Sequence, residues 1–272
     1  MNATPARHFV VDRLAVELHP TRADLGRVAA AAAAEYLWQC IASRGHARVV
    51  FACAPSQDEF LGALADGRTN PVAWDRVTAF QMDEYVGLEG DDPRSFQRYL
   101  RDHLLSRLKV AAFHPLSAGK GDSAGVCRRY AKLLAELPID LICMGVGENG
   151  HIAFNDPPVA KFDDRASVKR VKLDGACLQQ QVNDGCFHSI AEVPRHALTL
   201  TVPVFRAARR LSAHVPGPRK AAAVRAMLED PIDASCPASV LRLHPNATLY
   251  LDSASAGELS AFAQDRAIPS PP

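Results

Sequence analysis

The chain has 272 residues, of which 48% are hydrophobic and 22% are charged, and its formal net charge at pH 7 is +1. This composition is that of an ordinary globular protein, and it lacks the basic excess that would suit a nucleic-acid partner. No stretch looks like a linker, so we predict one α/β domain spanning residues 1–272, although two domains are compatible with this length.

The seven cysteines are scattered and never form a Cys-x-x-Cys pair, which favours reduced thiols in a cytoplasmic protein. The apolar run 28–34 is bounded by Arg27 and Glu35 and is far shorter than the roughly 20 residues that a membrane span needs. The N-terminus has no signal-peptide pattern. We therefore expect no membrane partner, while the sequence leaves open whether the chain forms a homo-oligomer.

A long first helix is predicted after Thr21 and Asp24, which resemble a capping pair and precede apolar residues at helical spacing. Behind it, short apolar runs alternate with amphipathic segments. The predicted strands lie near 48–54, 76–82, 110–113, 139–145, 168–173, 196–202, 210–215 and 247–251. The predicted helices that follow the first lie near 59–65, 93–107 and 122–136. This alternation implies an open, mainly parallel sheet with helices on both faces, a Rossmann-like α/β fold.

Three predicted strands end in polar segments. These segments are residues 54–57 (APSQ), residues 83–85 (DEY) and the loop that begins at Gly145. In open α/β sheets, ligands bind at the carboxyl ends of the strands. We therefore expect the three segments to form one pocket.

The loop GVGENGHIAFND, which begins at Gly145, combines glycines with several polar and ionisable side chains. Glycines such as Gly147 allow the backbone to approach a ligand closely. His151 lies beside Asn149 and Asp156, and histidine is the side chain best suited to proton transfer near neutral pH. Asp156 is the candidate that orients the ring. Taken alone, the loop also fits a structural turn.

Two adjacent carboxylates, Asp83 and Glu84, follow the predicted strand near 76–82. They point in different directions, so one can face the pocket while the other pairs or caps. An isolated Asp-Glu pair more often caps the next helix. The pair acquires a functional meaning only together with the glycine-rich loop.

Together, MDEYVGL at 82–88 and GVGENGHIAFN at 145–155 resemble two motifs of the glucosamine-6-phosphate deaminase/isomerase family, which is related in fold to the 6-phosphogluconolactonases. Shorter segments extend the resemblance over nearly the whole chain. They are PRSF at 93–96, VP at 193–194, ALT at 197–199 and LRLHP at 241–245. The resemblance implies conversion of glucosamine-6-phosphate to fructose-6-phosphate and ammonia.

The resemblance also implies a role for each site residue. Asp83 would remove the C2 proton of the open-chain sugar and return it at C1, and His151, supported by Asn149 and Asp156, would open the pyranose ring. Proton transfers of this kind need neither a metal nor a nucleotide, so we expect no cofactor. The residues expected to bind the substrate are Ser56, Glu84, Gly145, Gly147 and Lys220.

Lys220 matches the lysine that binds phosphate in this family, and the expected ligand is therefore a small sugar phosphate. It belongs to VPGPRK at 215–220, which ends a predicted strand and opens a helix. Cations at a helix start oppose the helix dipole, which favours a bound anion there over a solvated basic turn.

The chain departs from the family at several positions that bear on the substrate. The best-known members have Asp where this chain has Asn149, and Glu is commoner than Asp156. The PSQD segment at 55–58 lacks the glycines of the family's first loop. The QQQVND segment at 179–184 offers no counterpart of the family's phosphate-binding arginine.

Two other functions stay open. A 6-phosphogluconolactonase-type hydrolase shares the fold and a similar Gly-His loop, but the segments DEYVGL and HIAFN favour the deaminase. A non-catalytic sugar-phosphate sensor is disfavoured, because the sequence has no evident helix-turn-helix segment or basic extension. Asp83 and His151 would also be superfluous in a sensor.

Overall fold

The computed structural model describes residues 7–66, 72–117, 119, 121–260 and 268–269. The strands are β1 (Arg7–Val11), β2 (Leu14–His19), β3 (Ala47–Phe51), β4 (Val77–Gln81), β5 (Asp83–Tyr85), β6 (Ala112–His114), β7 (Leu141–Met144), β8 (Val168–Lys172), β9 (His196–Leu200), β10 (Arg210–Val215), β11 (Ala247–Asp252) and β12 (Ile268–Pro269). The α-helices are α1 (Arg22–Arg44), α2 (Asp58–Ala65), α3 (Phe96–Leu100), α4 (Ser123–Ala135), α5 (Gly175–Asn183), α6 (Val202–Ala207) and α7 (Ala221–Glu229).

Nine of the described strands form one sheet, in the order β12-β1-β2-β11-β10-β7-β3-β4-β6. The seven strands from β2 to β6 in this order run parallel, whereas β1 pairs antiparallel with β2 and with β12. The predicted α/β fold with a mainly parallel sheet is therefore confirmed.

Side chains of the central strands enter two cores, one on each face of the sheet. Val49 and Phe51 of β3 join the core that contains α1 and α2, whereas Val50 joins the core that contains α4 and α7. Both faces are thus covered by helices, which explains why these strands appear in the sequence as unbroken apolar runs. None of the described helices combines the length and the apolar character needed to cross a membrane.

The order in which successive strands join the sheet reverses between the neighbouring strands β3 and β7. On one side of this pair the sheet continues with β4 and β6, and on the other side with β10 and β11. Such a reversal leaves a crevice at the carboxyl ends of the two strands, because their connections leave in opposite directions. The polar segments that follow β3 and β7 both lie at this crevice.

Two features of the strand arrangement were not predicted. The strands predicted near 168–173 and 196–202 exist as β8 and β9, but they pair with β5 in a separate antiparallel sheet of order β5-β9-β8. The hairpin of β1 and β2 was absent from the predicted elements. Local hydrophobic patterns do not specify which distant strand a segment will pair with, or in which direction.

The first helix begins as predicted and fixes the position of the loop after β3. Thr21 caps it, since its hydroxyl accepts a hydrogen bond of 3.1 Å from the backbone of Asp24. Helix α2 packs against α1 at Gly26, where an added Cβ would lie 2.6 Å from Cβ of Glu59 and 2.9 Å from the backbone nitrogen of Phe60. Only glycine allows this approach.

We expect Gly26→Ala to lower the free energy of unfolding by about 1–3 kcal/mol, because the new methyl group overlaps backbone atoms of α2. This loss should exceed the roughly 1 kcal/mol that alanine adds through helix propensity. Gly62→Ala is the matched control, since nothing lies within 4 Å of a Cβ added there and the variant should gain up to about 1 kcal/mol. Urea denaturation measures both, and equal stability of the two variants would contradict the proposed overlap.

Candidate active site

A cleft open to solvent lies at the carboxyl edge of the parallel sheet, over the reversal between β3 and β7. Its walls come from the segments that follow β3, β4, β7 and β10 and from helix α5. The three polar segments that end predicted strands therefore meet here. The predicted site residues that line the cleft are Ser56, Asp83, Gly145, Gly147, His151 and Lys220.

His151 is held through one nitrogen of its ring. Nδ1 lies 2.7 Å from Oδ1 of Asn149 and 3.0 Å from Oδ1 of Asp156. The Asn149 amide has a fixed orientation, because its oxygen also accepts from the His151 backbone N–H and its nitrogen donates to Asp156. Both atoms that face Nδ1 are acceptors, so Nδ1 carries a proton and Nε2 is left for proton exchange.

Gly147 provides the space in which the imidazole lies, because a Cβ at this position would overlap the His151 ring. Its backbone N–H also donates to the carbonyl of His151 at 2.9 Å, which closes the loop around the ring. The glycine, expected from the sequence to contact substrate, thus positions the histidine as well as lining the cleft.

Asp156 is 1% exposed and does not line the cleft. Burial alone would raise the pKa of its carboxyl, but the hydrogen bond and charge of His151, together with the Asn149 amide, hold that pKa below its usual value. The group therefore remains ionised and can accept the proton of Nδ1 in a hydrogen bond. Asp156 therefore contacts the ring that the sequence predicted it to orient, and the role itself stays a prediction.

Asp83 is the first residue of β5 and is buried in the cleft wall. Among the described residues, no hydrogen bond to its side chain is found. Burial, and then the neighbouring charge of Glu84, raise the pKa of Asp83 well above its usual range. A carboxylate with a raised pKa is a stronger base than an exposed one.

Glu84 was expected to bind substrate, but it does not line the cleft. Its carboxylate accepts hydrogen bonds from the backbone N–H groups of Tyr85, Phe96 and Gln97 and from the side-chain amide of Gln81, over 2.8–3.1 Å. Successive residues of a strand point to opposite faces, so only one of the two carboxylates can reach the cleft. Glu84 instead anchors the start of α3 beneath Asp83.

Lys220 is 5% exposed and lies at the end of the short 3₁₀ turn Pro218–Lys220 that precedes α7. Within the described residues its ammonium group has no hydrogen bond or ion pair. Burial lowers its pKa, and the charges of Asp184 and Glu148 oppose that effect. The neighbouring Arg219 is engaged with these two carboxylates, at 2.5 and 3.3 Å respectively. The buried ammonium is therefore the cation that an anion entering the cleft would meet.

Helix α5 contributes a wall of the cleft that the sequence did not assign to the site. Gln180, Gln181 and Asp184 line this wall. They belong to the QQQVND segment, in which no phosphate-binding arginine was found. Gln180 and Asp184 are four residues apart, the spacing of neighbours on a helix surface, and that spacing was the available signal.

One group of possible metal ligands occurs in the described part of the chain. His151, Asp156 and Cys177 offer ligand atoms within 4.8 Å of one another. Burial raises the pKa of the Cys177 thiol well above its usual range, whereas a metal would require the thiolate. Nδ1 of His151 and Oδ1 of Asp156 already contact each other at 3.0 Å.

Sequence comparisons relate this chain to known proteins. Residues 20–250 match the model of the family described as glucosamine-6-phosphate isomerases/6-phosphogluconolactonase. The chain is 34% identical over 192 residues to a glucosamine-6-phosphate deaminase of Bacillus cytotoxicus, and the aligned segment covers 71% of each chain. It is 36% identical over 183 residues to the corresponding deaminase of Listeria innocua, which covers 67% of this chain and 76% of the relative.

Solved structures agree with these relationships. A monomeric glucosamine-6-phosphate deaminase superposes with a TM-score of 0.82 at 29% identity, covering 89% of this chain and 99% of the other. A 6-phosphogluconolactonase from Shewanella baltica shares the fold, with a TM-score of 0.72, 20% identity and coverage of 87% and 96%. The chain belongs to the family of glucosamine-6-phosphate isomerases and 6-phosphogluconolactonases.

Proposed function

We propose that the protein converts glucosamine-6-phosphate to fructose-6-phosphate and ammonia. One observation carries this proposal: a buried carboxylate with a raised pKa, Asp83, shares one cleft with an oriented imidazole, His151, and a buried ammonium group, Lys220. The names of the similar curated proteins support the same activity. We further propose a cytoplasmic location, since all seven cysteines are free thiols.

In the first step, His151 opens the pyranose ring. Its Nε2 takes the proton of the anomeric hydroxyl and delivers a proton to the ring oxygen, which yields the open-chain aldehyde. The imidazole is positively charged between these two transfers. Ionised Asp156 and the Asn149 carbonyl, both at Nδ1, stabilise that charge.

In the second step, Asp83 moves a proton between two carbons. It takes the C2 proton of the open-chain amino sugar while the aldehyde oxygen gains a proton from water, which forms an enolamine. It then returns its proton to C1 while the nitrogen loses a proton to water. The product is an imine at C2, and addition of water to it releases ammonia and leaves the ketose phosphate. A carboxylate desolvated in the cleft wall is suited to this weakly acidic C–H bond.

The phosphate would be held by Lys220 and by the hydroxyl of Ser56, which line the same cleft. Carbon-acid chemistry distinguishes this reaction from lactone hydrolysis, which requires no base at C2. A buried carboxylate with a raised pKa in the cleft therefore favours the deaminase over the lactonase alternative.

A substrate panel tests the proposal. The purified protein is incubated with glucosamine-6-phosphate, galactosamine-6-phosphate and 6-phosphogluconolactone, and the release of ammonia, ketose phosphate and acid is followed. We expect ammonia and ketose phosphate in equal amounts from an amino-sugar phosphate. Acid release from the lactone alone would overturn the proposal in favour of a hydrolase, and turnover of none of the three would favour a sensor.

Asp83→Asn should bind substrate but lose about 10²- to 10⁴-fold in rate, because an amide cannot accept the C2 proton. Solvent deuterium incorporation at C1 and C2 of the sugar phosphate measures the proton transfer directly. Exchange at the wild-type rate would show that another group is the base. The melting temperature of the variant serves as the control for folding.

Glu84→Gln should move the acid limb of the pH–rate profile to lower pH. Burial raises the pKa of Glu84, and its hydrogen bonds from Gln81 and from three backbone N–H groups oppose that rise. When Glu84 is ionised, its charge helps to raise the pKa of Asp83. Asp83 works as a base only when ionised, so activity is lost as pH falls through its raised pKa. Removing the neighbouring charge lowers that pKa. An unmoved acid limb in kcat would contradict this coupling.

Lys220→Met should raise the Michaelis constant for glucosamine-6-phosphate by about 10- to 100-fold, which corresponds to the roughly 1.5–3 kcal/mol of a lost charged hydrogen bond. We also expect inorganic phosphate to raise the melting temperature of the wild type, and Lys220→Met should abolish this effect. Lys132→Met, at an exposed position of α4, is the matched control and should change neither quantity. Retained stabilisation by phosphate would place the anion site elsewhere.

A further inference from the structure

A buried chain of hydrogen bonds leads from β10 to the cleft loop after β3, and the mechanism above does not use it. Nε2 of His214 lies 2.8 Å from the hydroxyl of Ser212, and Nδ1 lies 2.9 Å from Oε1 of Gln57. Nε2 of Gln57 then donates to the hydroxyl oxygen of Ser56 at 3.1 Å. Ser212, His214 and Gln57 are at most 3% exposed, whereas Ser56 lines the cleft.

The direction of every bond in this chain is determined. The Gln57 amide nitrogen also donates to the backbone carbonyl of His214 at 3.2 Å, so the amide oxygen is the end that faces the ring. That oxygen accepts the proton of Nδ1, which leaves Nε2 to accept from the hydroxyl of Ser212. Burial lowers the pKa of His214 to about 3, so the ring is neutral and keeps this tautomer throughout the physiological range.

The directions of these bonds determine what the hydroxyl group of Ser56 can do. Its oxygen accepts from the Gln57 amide, and that amide nitrogen cannot accept a bond in return. The hydroxyl hydrogen of Ser56 is therefore free to be donated into the cleft. Phosphate oxygens accept hydrogen bonds and, when ionised, donate none, so a hydroxyl committed to donation suits a phosphate group.

Packing holds the Gln57 side chain in place. The ring of His214 stacks on Phe60 of α2, with ring centroids 3.8 Å apart. At Gly145, an added Cβ would lie 2.9 Å from the Gln57 amide nitrogen and 3.5 Å from the Ser56 hydroxyl. The missing side chain at Gly145 thus leaves room for the amide between two cleft loops. The PSQD segment, which lacks glycines, is fixed here by side chains.

We propose that Gln57, held by His214, is a positioning residue that commits the Ser56 hydroxyl to donate a hydrogen bond to the substrate's phosphate. The inference rests on the proposed function for the identity of the substrate. The chain of bonds itself depends only on the geometry of these residues, and inorganic phosphate can probe it separately.

The test is Gln57→Glu, which keeps the shape of the side chain but replaces the amide donor with an acceptor. The hydroxyl hydrogen of Ser56 would then turn to the new carboxylate and away from the ligand. We expect the Michaelis constant for glucosamine-6-phosphate to rise by about 10-fold or more, with a much smaller change in kcat. Gln57→Met, which removes the donor without adding charge, should have a smaller effect in the same direction.

A double-mutant cycle separates positioning from simple charge repulsion. In the Ser56→Ala background, Gln57→Glu should cause little further increase, because the hydroxyl that it reorients is gone. Gln180→Glu, which adds the same charge to another wall of the cleft, is the control and should act equally in both backgrounds. If Gln57→Glu also acts equally in both backgrounds, or lowers kcat and the melting temperature with the Michaelis constant unchanged, the inference is overturned.

The same cycle is run on the dissociation constant of inorganic phosphate, measured by calorimetry. If the wild type fails to turn over glucosamine-6-phosphate but the phosphate cycle is non-additive, the proposed function fails and the positioning role stands. If turnover occurs and both cycles are additive, the function stands and the positioning role is rejected. If the wild type does not bind inorganic phosphate, the proposed role of Ser56 in binding phosphate is itself rejected.

Discussion

The reversal of strand order between β3 and β7 is the constraint on which the site depends. Connections leave these adjacent strands in opposite directions, so no helix closes the space above their carboxyl ends. Ser56 follows β3, His151 follows β7, and the segments after β4 and β10 add Asp83 and Lys220. Residues far apart in sequence thus meet because the strands that precede them end at one edge.

Burial then gives these groups their reactivity. Asp83 and Lys220 both lose hydration in the cleft. This loss raises the pKa of the Asp83 carboxyl and lowers the pKa of the Lys220 ammonium group, so each is biased toward its neutral form. The fold sustains this unfavourable state through groups outside the cleft. Glu84, with four hydrogen bonds, fixes the backbone beside Asp83, and Asp156 stays ionised behind His151. These bonds are made before substrate arrives, which is the preorganisation that acid–base catalysis requires.

Sequence patterns predicted the parallel sheet, the cap at Thr21 and the presence of β8 and β9, because hydrophobic periodicity and capping are local properties. They did not predict that β8 and β9 leave the main sheet, since pairing direction depends on distant strands. The contact between Asn149 and His151, which are two residues apart, was predicted from their spacing. Glu84 was misassigned because strand orientation, which decides the face of each carboxylate, is not a local signal. The link from Gln57 to His214 joins the segment after β3 to strand β10, residues far apart in the sequence, and so it leaves no local sequence pattern.

The absence of an arginine from α5 changes how the cleft can recognise an anion. Gln181 lines the wall with a neutral amide, whose oxygen accepts from the hydroxyl of Tyr85 and whose nitrogen is left as a donor. Arg219 is paired with Asp184 and Glu148, which leaves Lys220 as the cationic side chain among the described residues that line the cleft. Recognition then relies on neutral donors whose direction is fixed, and a fixed hydroxyl or amide in a partly desolvated cleft is a stronger donor than in water. A side chain that sets the direction of such a donor therefore matters more here than it would beside an arginine. With less positive charge in the cleft, binding of an anion depends more strongly on the orientation of the hydrogen-bond donors.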